Sequence, residues 1–151
     1  FHSAGGIYVM NADGSDLTRL VDGGRPTWSP DSRKIAFFTT SSGIHVINTD
    51  GSGLTQVTTE PGDFPAWAPD GQQIAFMSRR DGNDEIYVIN ADGSGLTRLT
   101  NHPGSDMRPS WSPDGRQIAF VSYRDSTGDI YIMNADGSNL RYLINGHYPD
   151  W

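Results

Sequence analysis

The 151-residue chain has no cysteine, which excludes disulfides, a thiol nucleophile and any cysteine-ligated metal. Lysine is nearly missing as well: Lys34 stands alone beside ten arginines. Glutamate is reduced to Glu60 and Glu85, so sixteen of the 18 acidic residues are aspartate. Aspartate favours turns and caps, whereas glutamate favours helix interiors. The choice of acid therefore argues against helices. No apolar run approaches the roughly 18 residues of a membrane-spanning helix, and no membrane insertion is expected. The net charge of −7 speaks against a nucleic-acid partner, because such binders display a basic patch. There is no Gly-x-Ser-x-Gly elbow for a serine hydrolase. The glycines are spread along the chain, and no glycine-rich phosphate loop forms.

What the chain does have is punctuation and repetition. Its 18 glycines and 9 prolines, with 35% hydrophobic residues, suit many short strands joined by tight turns. One segment reads Ile7-Tyr-Val-Met-Asn-Ala-Asp-Gly14, followed by Leu17 to Leu20. It returns at Ile44–Gly51, Ile86–Gly93 and Ile130–Gly137. A second segment reads Pro26-Thr-Trp-Ser-Pro-Asp31, followed by Ile35-Ala-Phe37. Its copies start at Pro65 and Pro109, and a stub closes the chain as Pro149-Asp-Trp151. The tryptophans at 28, 67, 111 and 151 set a period near 40 residues. The repeats run at about 1–27, 28–66, 67–110 and 111–151.

Each repeat predicts four short strands. Strand A is the Pro-x-Trp segment, and Ser-Pro-Asp-Gly turns it into strand B, Ile-Ala-Phe. Strand C is Ile-Tyr-Val-Ile/Met, and Asp-Gly makes a hairpin into strand D, Leu-Thr-Arg-Leu. One such sheet buries little by itself; sheets stacked face to face bury both surfaces. The pattern Pro-x-Trp-Ser-Pro-Asp-Gly, Ile-Ala-Phe, Ile-Tyr-Val-x-Asn-Ala-Asp-Gly closely resembles the TolB-type, WD-like β-propeller repeat over essentially the whole chain. The expected fold is an all-β propeller of four blade equivalents, each a four-stranded antiparallel sheet, with one blade split between the termini. Phe1 and His2 align with the end of strand B. Three assemblies fit: a four-bladed ring, an eight-bladed ring formed by a homodimer, or a piece of a longer propeller that dimerises when isolated. The tryptophans and Tyr8, Tyr87 and Tyr131 are expected in the core.

The chemistry-bearing residues are few. His2, His45, His102 and His147 show no metal-ligand spacing. The Asn-x-Asp-Gly turns have apolar residues where a calcium loop needs acids, so they read as hairpins. No metal, no other cofactor and no catalytic residue is expected. Asp63 and Asp106 precede their Pro-x-Trp segments and could face the channel together. The A–B and C–D turns share one short, acidic face. The B–C and D–A loops share the other, which varies in length and chemistry, and variable loops on a repeated scaffold are where function concentrates. The candidate binding residues there are Arg25, Arg79, Arg80, His102, Asp106, Arg108, Tyr123, Arg124 and His147. The expected role is a non-catalytic scaffold for a protein or peptide. The resemblance to periplasmic TolB implies a periplasmic or extracellular location. The alternative is an accessory propeller of an enzyme, gating a peptidase or serving a metal-dependent carbohydrate lyase.

Overall fold

A computed structural model describes residues 5–151; Phe1 and His2 lie outside the described residues. Among the described residues, fourteen strands form four antiparallel sheets. The first sheet pairs β1 (Gly6–Val9) with β2 (Thr18–Asp22). Three complete blades follow. The first contains β3 (Gly24–Trp28), β4 (Lys34–Thr39), β5 (Gly43–Asn48) and β6 (Thr55–Gln56). The second contains β7 (Gly62–Trp67), β8 (Gln73–Ser78), β9 (Glu85–Asn90) and β10 (Thr97–Arg98). The third contains β11 (Asp106–Trp111), β12 (Gln117–Ser122), β13 (Asp129–Asn134) and β14 (Arg141–Asn145). The β1–β2 sheet supplies strands C and D of the remaining blade. The stub at residues 149–151 carries strand A's residues but is not paired as a strand.

The turns form for the reasons the sequence suggests. In each C–D turn an aspartate carboxylate accepts hydrogen bonds from the serine two residues on. Asp50, for example, takes Ser52 N at 2.9 Å and Ser52 Oγ at 2.6 Å. These bonds hold Asp13, Asp50, Asp92 and Asp136 below the ordinary carboxylate pKa. The A–B turns work alike, with Ser29 Oγ on Asp31 and Ser112 Oγ on Asp114. The residue after that aspartate is left-handed in all three blades: Gly71 and Gly115, but Ser32 in the first, at φ 58°.

Strand alternation sends side chains to both faces, and both are buried. From β4, Ile35 and Phe37 meet Ile7 of the first sheet, while Ala36 joins Trp67 and Phe76 of the next blade. From β8 and β9, Ala75, Ile86 and Val88 join Trp111 and Phe120. Each strand-A tryptophan is thus a plug seated against the preceding blade. Trp67 is 8% exposed and Trp111 is 9% exposed, but Trp28 is 51% exposed. The expectation of four core tryptophans therefore fails for Trp28. Among the described residues its preceding sheet offers only β1 and β2, without a B strand on which the plug would rest. Trp151 is also half-exposed, although its indole N–H reaches Ser110 O at 3.1 Å. Tyr8 is exposed for a related reason. Tyr87 and Tyr131 stack on Phe76 and Phe120 of their own strand B, and the β1–β2 sheet has no B strand among the described residues.

Two stability measurements follow. Trp67→Ala and Trp111→Ala should each cost about 3–5 kcal/mol in urea unfolding, and Trp28→Ala clearly less; equal costs would contradict the plug arrangement. Ser32→Gly should stabilise by up to about 1 kcal/mol, because it removes a side chain from a left-handed position.

Candidate functional site: an arginine–aromatic recess between unlike blade seams

Strand A is irregular in every complete blade. Pairing slips between Gly24 and Thr27, between Asp63 and Ala66, and between Met107 and Ser110. Within each slip, the residue before proline is left-handed: Arg25 at φ 50°, Phe64 at 53° and Arg108 at 56°. A residue before proline is ordinarily pushed to extended backbone, and each such conformation costs on the order of 1–3 kcal/mol. The A strands adjoin one another, β3 to β7 and β7 to β11. The bulges therefore present the same repeat position side by side on the inner wall.

The result is an alternating row of cations and rings. The Arg25 guanidinium carbon lies 3.9 Å from the Phe64 ring centroid. Arg108 lies 5.2 Å from the same ring and 4.3 Å from Tyr148. Contacts of this kind contribute about 0.5–2 kcal/mol each. The four residues line an open recess of about 490 Å³, together with Pro26, Pro65, Pro109, Pro149 and Ser110. Arg25 Nε also meets Asp63 Oδ1 at 2.9 Å. Burial raises the Asp63 pKa above its ordinary 3.8, opposed by Phe64 N–H, Arg25 and Arg108. Arg108 donates to His147 O at 3.1 Å and draws the Tyr148 phenol below its ordinary pKa.

A second group fills the seam between the second and third blades. Asp106 is fully buried and pairs with Arg124 Nη2 at 3.2 Å. Glu85, also fully buried, accepts from Thr100 Oγ1 at 2.5 Å, His102 N at 2.8 Å and Arg98 Nη2 at 3.0 Å. Burial is the main cause raising the Asp106 pKa, and Glu85 adds to it. Around this seam the B–C loops repeat one device. The Tyr87 hydroxyl donates to Asp81 and that of Tyr131 to Asp125, both at 2.5 Å, with Arg80 and Arg124 over the rings. Both phenols are pushed up to about 12, Tyr87 chiefly by burial and Tyr131 chiefly by its bond to Asp125. They remain protonated donors at neutral pH.

Residues 25–149 match the family model described as the TolB beta propeller domain. The chain belongs to this family. Among solved structures it is similar to a putative TolB from Agrobacterium tumefaciens, with a TM-score of 0.81 and 26% identity over 94% of this chain and 58% of that one. It is similar to TolB from Acinetobacter baumannii, with a TM-score of 0.81 and 24% identity over 93% of this chain and 38% of that one. An oligogalacturonate lyase in complex with manganese shares the fold at a TM-score of 0.71 and 18% identity, covering 90% of this chain and 41% of that one. The chain thus spans under two thirds of the length of these structures. No curated protein matches the sequence.

In this TolB-type propeller six of the nine candidate residues fall into two groups, and Arg80 lies over the Tyr87 ring. Arg25, Arg108 and the His147 carbonyl meet at the recess. Asp106, Arg124 and His102 belong to the seam network; His102 Nδ1 accepts from Gly104 N at 3.0 Å. Arg79 is exposed but paired with Asp84 at 2.5 Å. Tyr123 is 40% exposed beside the seam. Asp63 and Asp106 do not act as one acidic pair, for each has its own arginine. Among the described residues, no three His, Asp or Glu side chains converge. Phe64 and Tyr148 were missed as site residues; the signal was the repeat column one before proline.

An NMR carboxyl titration should find the Asp63 midpoint above 3.8, and higher still in Arg25→Gln, where a lowering charge is lost. The unfolded chain gives up this proton first, so the contribution of Asp63 to stability falls as pH rises through the folded midpoint. An unshifted midpoint in the variant would refute the pairing.

Proposed function

We propose that the chain is a non-catalytic β-propeller scaffold that binds a protein or peptide at the recess. The observation that carries this reading is the row Arg25, Phe64, Arg108 and Tyr148, the first three of them in strained backbone. Strain that recurs at one repeat position and aims large side chains into an open recess suits a ligand surface. Arginine and tyrosine also concentrate binding energy at protein interfaces. The His147 loop adjoins that surface, its carbonyl accepting from Arg108.

Self-association as a homodimer, closing an eight-bladed ring, belongs to the same proposal. It is supported by the apolar side chains left in water at the first sheet: Tyr8, Met10, Leu17 and Trp28. A periplasmic or extracellular location follows the resemblance to periplasmic TolB. The rival role, an accessory domain of a peptidase or carbohydrate lyase, draws on a likeness that reaches the fold alone.

Peptides selected from a display library against the intact chain provide the test. Phe64→Ala and Arg108→Glu should weaken their binding at least tenfold with the circular dichroism spectrum unchanged. Retained affinity in both variants would remove the recess as the site. Light scattering should find about twice the chain mass of 16.5 kDa at micromolar concentration; a monomer mass would point to a four-bladed ring.

A further inference from the structure

The recess brings two cations to one carboxylate. Arg25 is answered by Asp63, whose Oδ1 lies 2.9 Å from Arg25 Nε. Arg108 forms no ion pair among the described residues, and acts on Asp63 only through space. The acceptors it does have are neutral: the His147 carbonyl at 3.1 Å from Nη1, and the Tyr148 phenol. Its Nε is buried with no partner. A guanidinium carries five N–H donors, four of them on its terminal nitrogens. Terminal donors therefore remain for a charged acceptor, in a residue that lines the recess. The chain as a whole carries a net charge of −7, so a cation left unanswered in an open recess is a local exception.

The surroundings decide which anion fits. Phe64 and Tyr148 have their ring centroids 5.2 Å and 4.3 Å from the Arg108 guanidinium carbon. Another ring would compete with both, whereas the N–H edge of a guanidinium takes a carboxylate in its own plane. Each residue of the row is followed by a proline, and Pro65, Pro109 and Pro149 line the recess beside Phe64, Arg108 and Tyr148. They offer apolar ground to whatever flanks the acid. The row is open at both ends: the Arg25 side chain is 49% exposed and Tyr148 is 79% exposed. A chain can therefore cross the recess instead of ending in it.

We propose that the peptide bound by the recess presents to Arg108 an aspartate or glutamate side chain from the interior of its sequence. The carboxylate accepts from the terminal N–H groups of Arg108, beside the Phe64 and Tyr148 rings. It brings the recess to charge balance, with Arg25 and Arg108 set against Asp63 and the acid of the ligand. The residues on either side of that acid lie on the prolines. This inference rests on the reading of the recess as a peptide site and adds what the site selects.

Three probes test this by NMR titration of the backbone amides: acetyl-Ala-Pro-Glu-Pro-Ala-amide, its glutamine counterpart, and that glutamine peptide with a free C-terminus. The glutamate peptide should shift the amides of Phe64, Arg108 and Tyr148. It should bind about fivefold more tightly than either glutamine peptide, as suits one charge-assisted pair at a partly exposed site. In Arg108→Gln that advantage should vanish. Asp63→Asn removes the competing carboxylate while keeping an acceptor for the Phe64 N–H, now 2.7 Å from Asp63 Oδ1, and should enlarge the advantage. It leaves Arg108 in place, so it decides alone if Arg108→Gln fails to fold. Equal shifts by the glutamate and blocked glutamine peptides would overturn the acid and leave the recess as a peptide site. A free terminus binding as tightly as glutamate would overturn the side chain as the source. An advantage that survives Arg108→Gln, or that Asp63→Asn does not enlarge, would overturn the pairing. No shift with any probe would also overturn the proposal, whereas the recess itself stands or falls with the Phe64→Ala test on selected peptides.

Discussion

A four-stranded sheet has two apolar faces and no third layer of its own to cover them. In this chain the cover for each face is the neighbouring blade, and the piece that completes it is the tryptophan of the next strand A. Ala36, Ile44, Val46 and Val57 of one blade close around Trp67 of the next. Ala75, Ile86 and Val88 close around Trp111 in the same way. Stability is therefore a property of adjacent pairs, as expected for stacked repeats. Trp28 makes the point by contrast: with the same residue at the same repeat position, it stays half in water where the sheet before it has two strands among the described residues.

Polar burial follows the same seams. Two carboxylates in a low-dielectric seam repel each other, and each loses its hydration on burial. The later seam accommodates Glu85 and Asp106 because Arg98 and Arg124 bring opposite charge and Thr100, Ser122 and a backbone N–H bring donors. Removing one partner would strand the others, so Asp106, Arg124 and His102 serve first to satisfy buried charge within their own blades, and it is the Asp106 N–H that reaches across the seam, to Asp84 O at 2.8 Å. The recess differs. Its arginines rest on ring faces and keep much of their surface in solvent, which leaves them able to meet a ligand.

Much of the architecture was legible in the sequence because it rests on local chemistry. Asp-Gly hairpins, Ser-Pro-Asp turns and the alternation of Ile-Ala-Phe and Ile-Tyr-Val specify strands and their register within a few residues. The side of the fold that would carry variable loops was also legible, from the unequal spacing after strands B and D. Three things were not. The left-handed backbone at Arg25, Phe64 and Arg108 contradicts the ordinary preference before proline, so local reasoning places those side chains elsewhere. The exposure of Trp28 depends on which strands its neighbour possesses, not on Trp28. The separation of recess from seam depends on where each arginine finds its counter-charge: Asp63 and Asp106 stand one register position apart in their repeats and take different partners.

The contrast between the two seams shows how a repeated fold varies its buried charge without new architecture. The second and third blades both carry Ser-x-Arg-Asp in the B–C loop, and both arginines stack on the tyrosine of strand C. The repeat holds the frame, while exchanges at two register positions, Gly43 for Glu85 and Gly62 for Asp106, change the electrostatics of the seam. Where the acid is present the arginine belongs to the structure. Where glycine replaces it, the same arginine keeps its place and its rings but lacks the anion. The ring packing that fixes Arg124 also fixes Arg80.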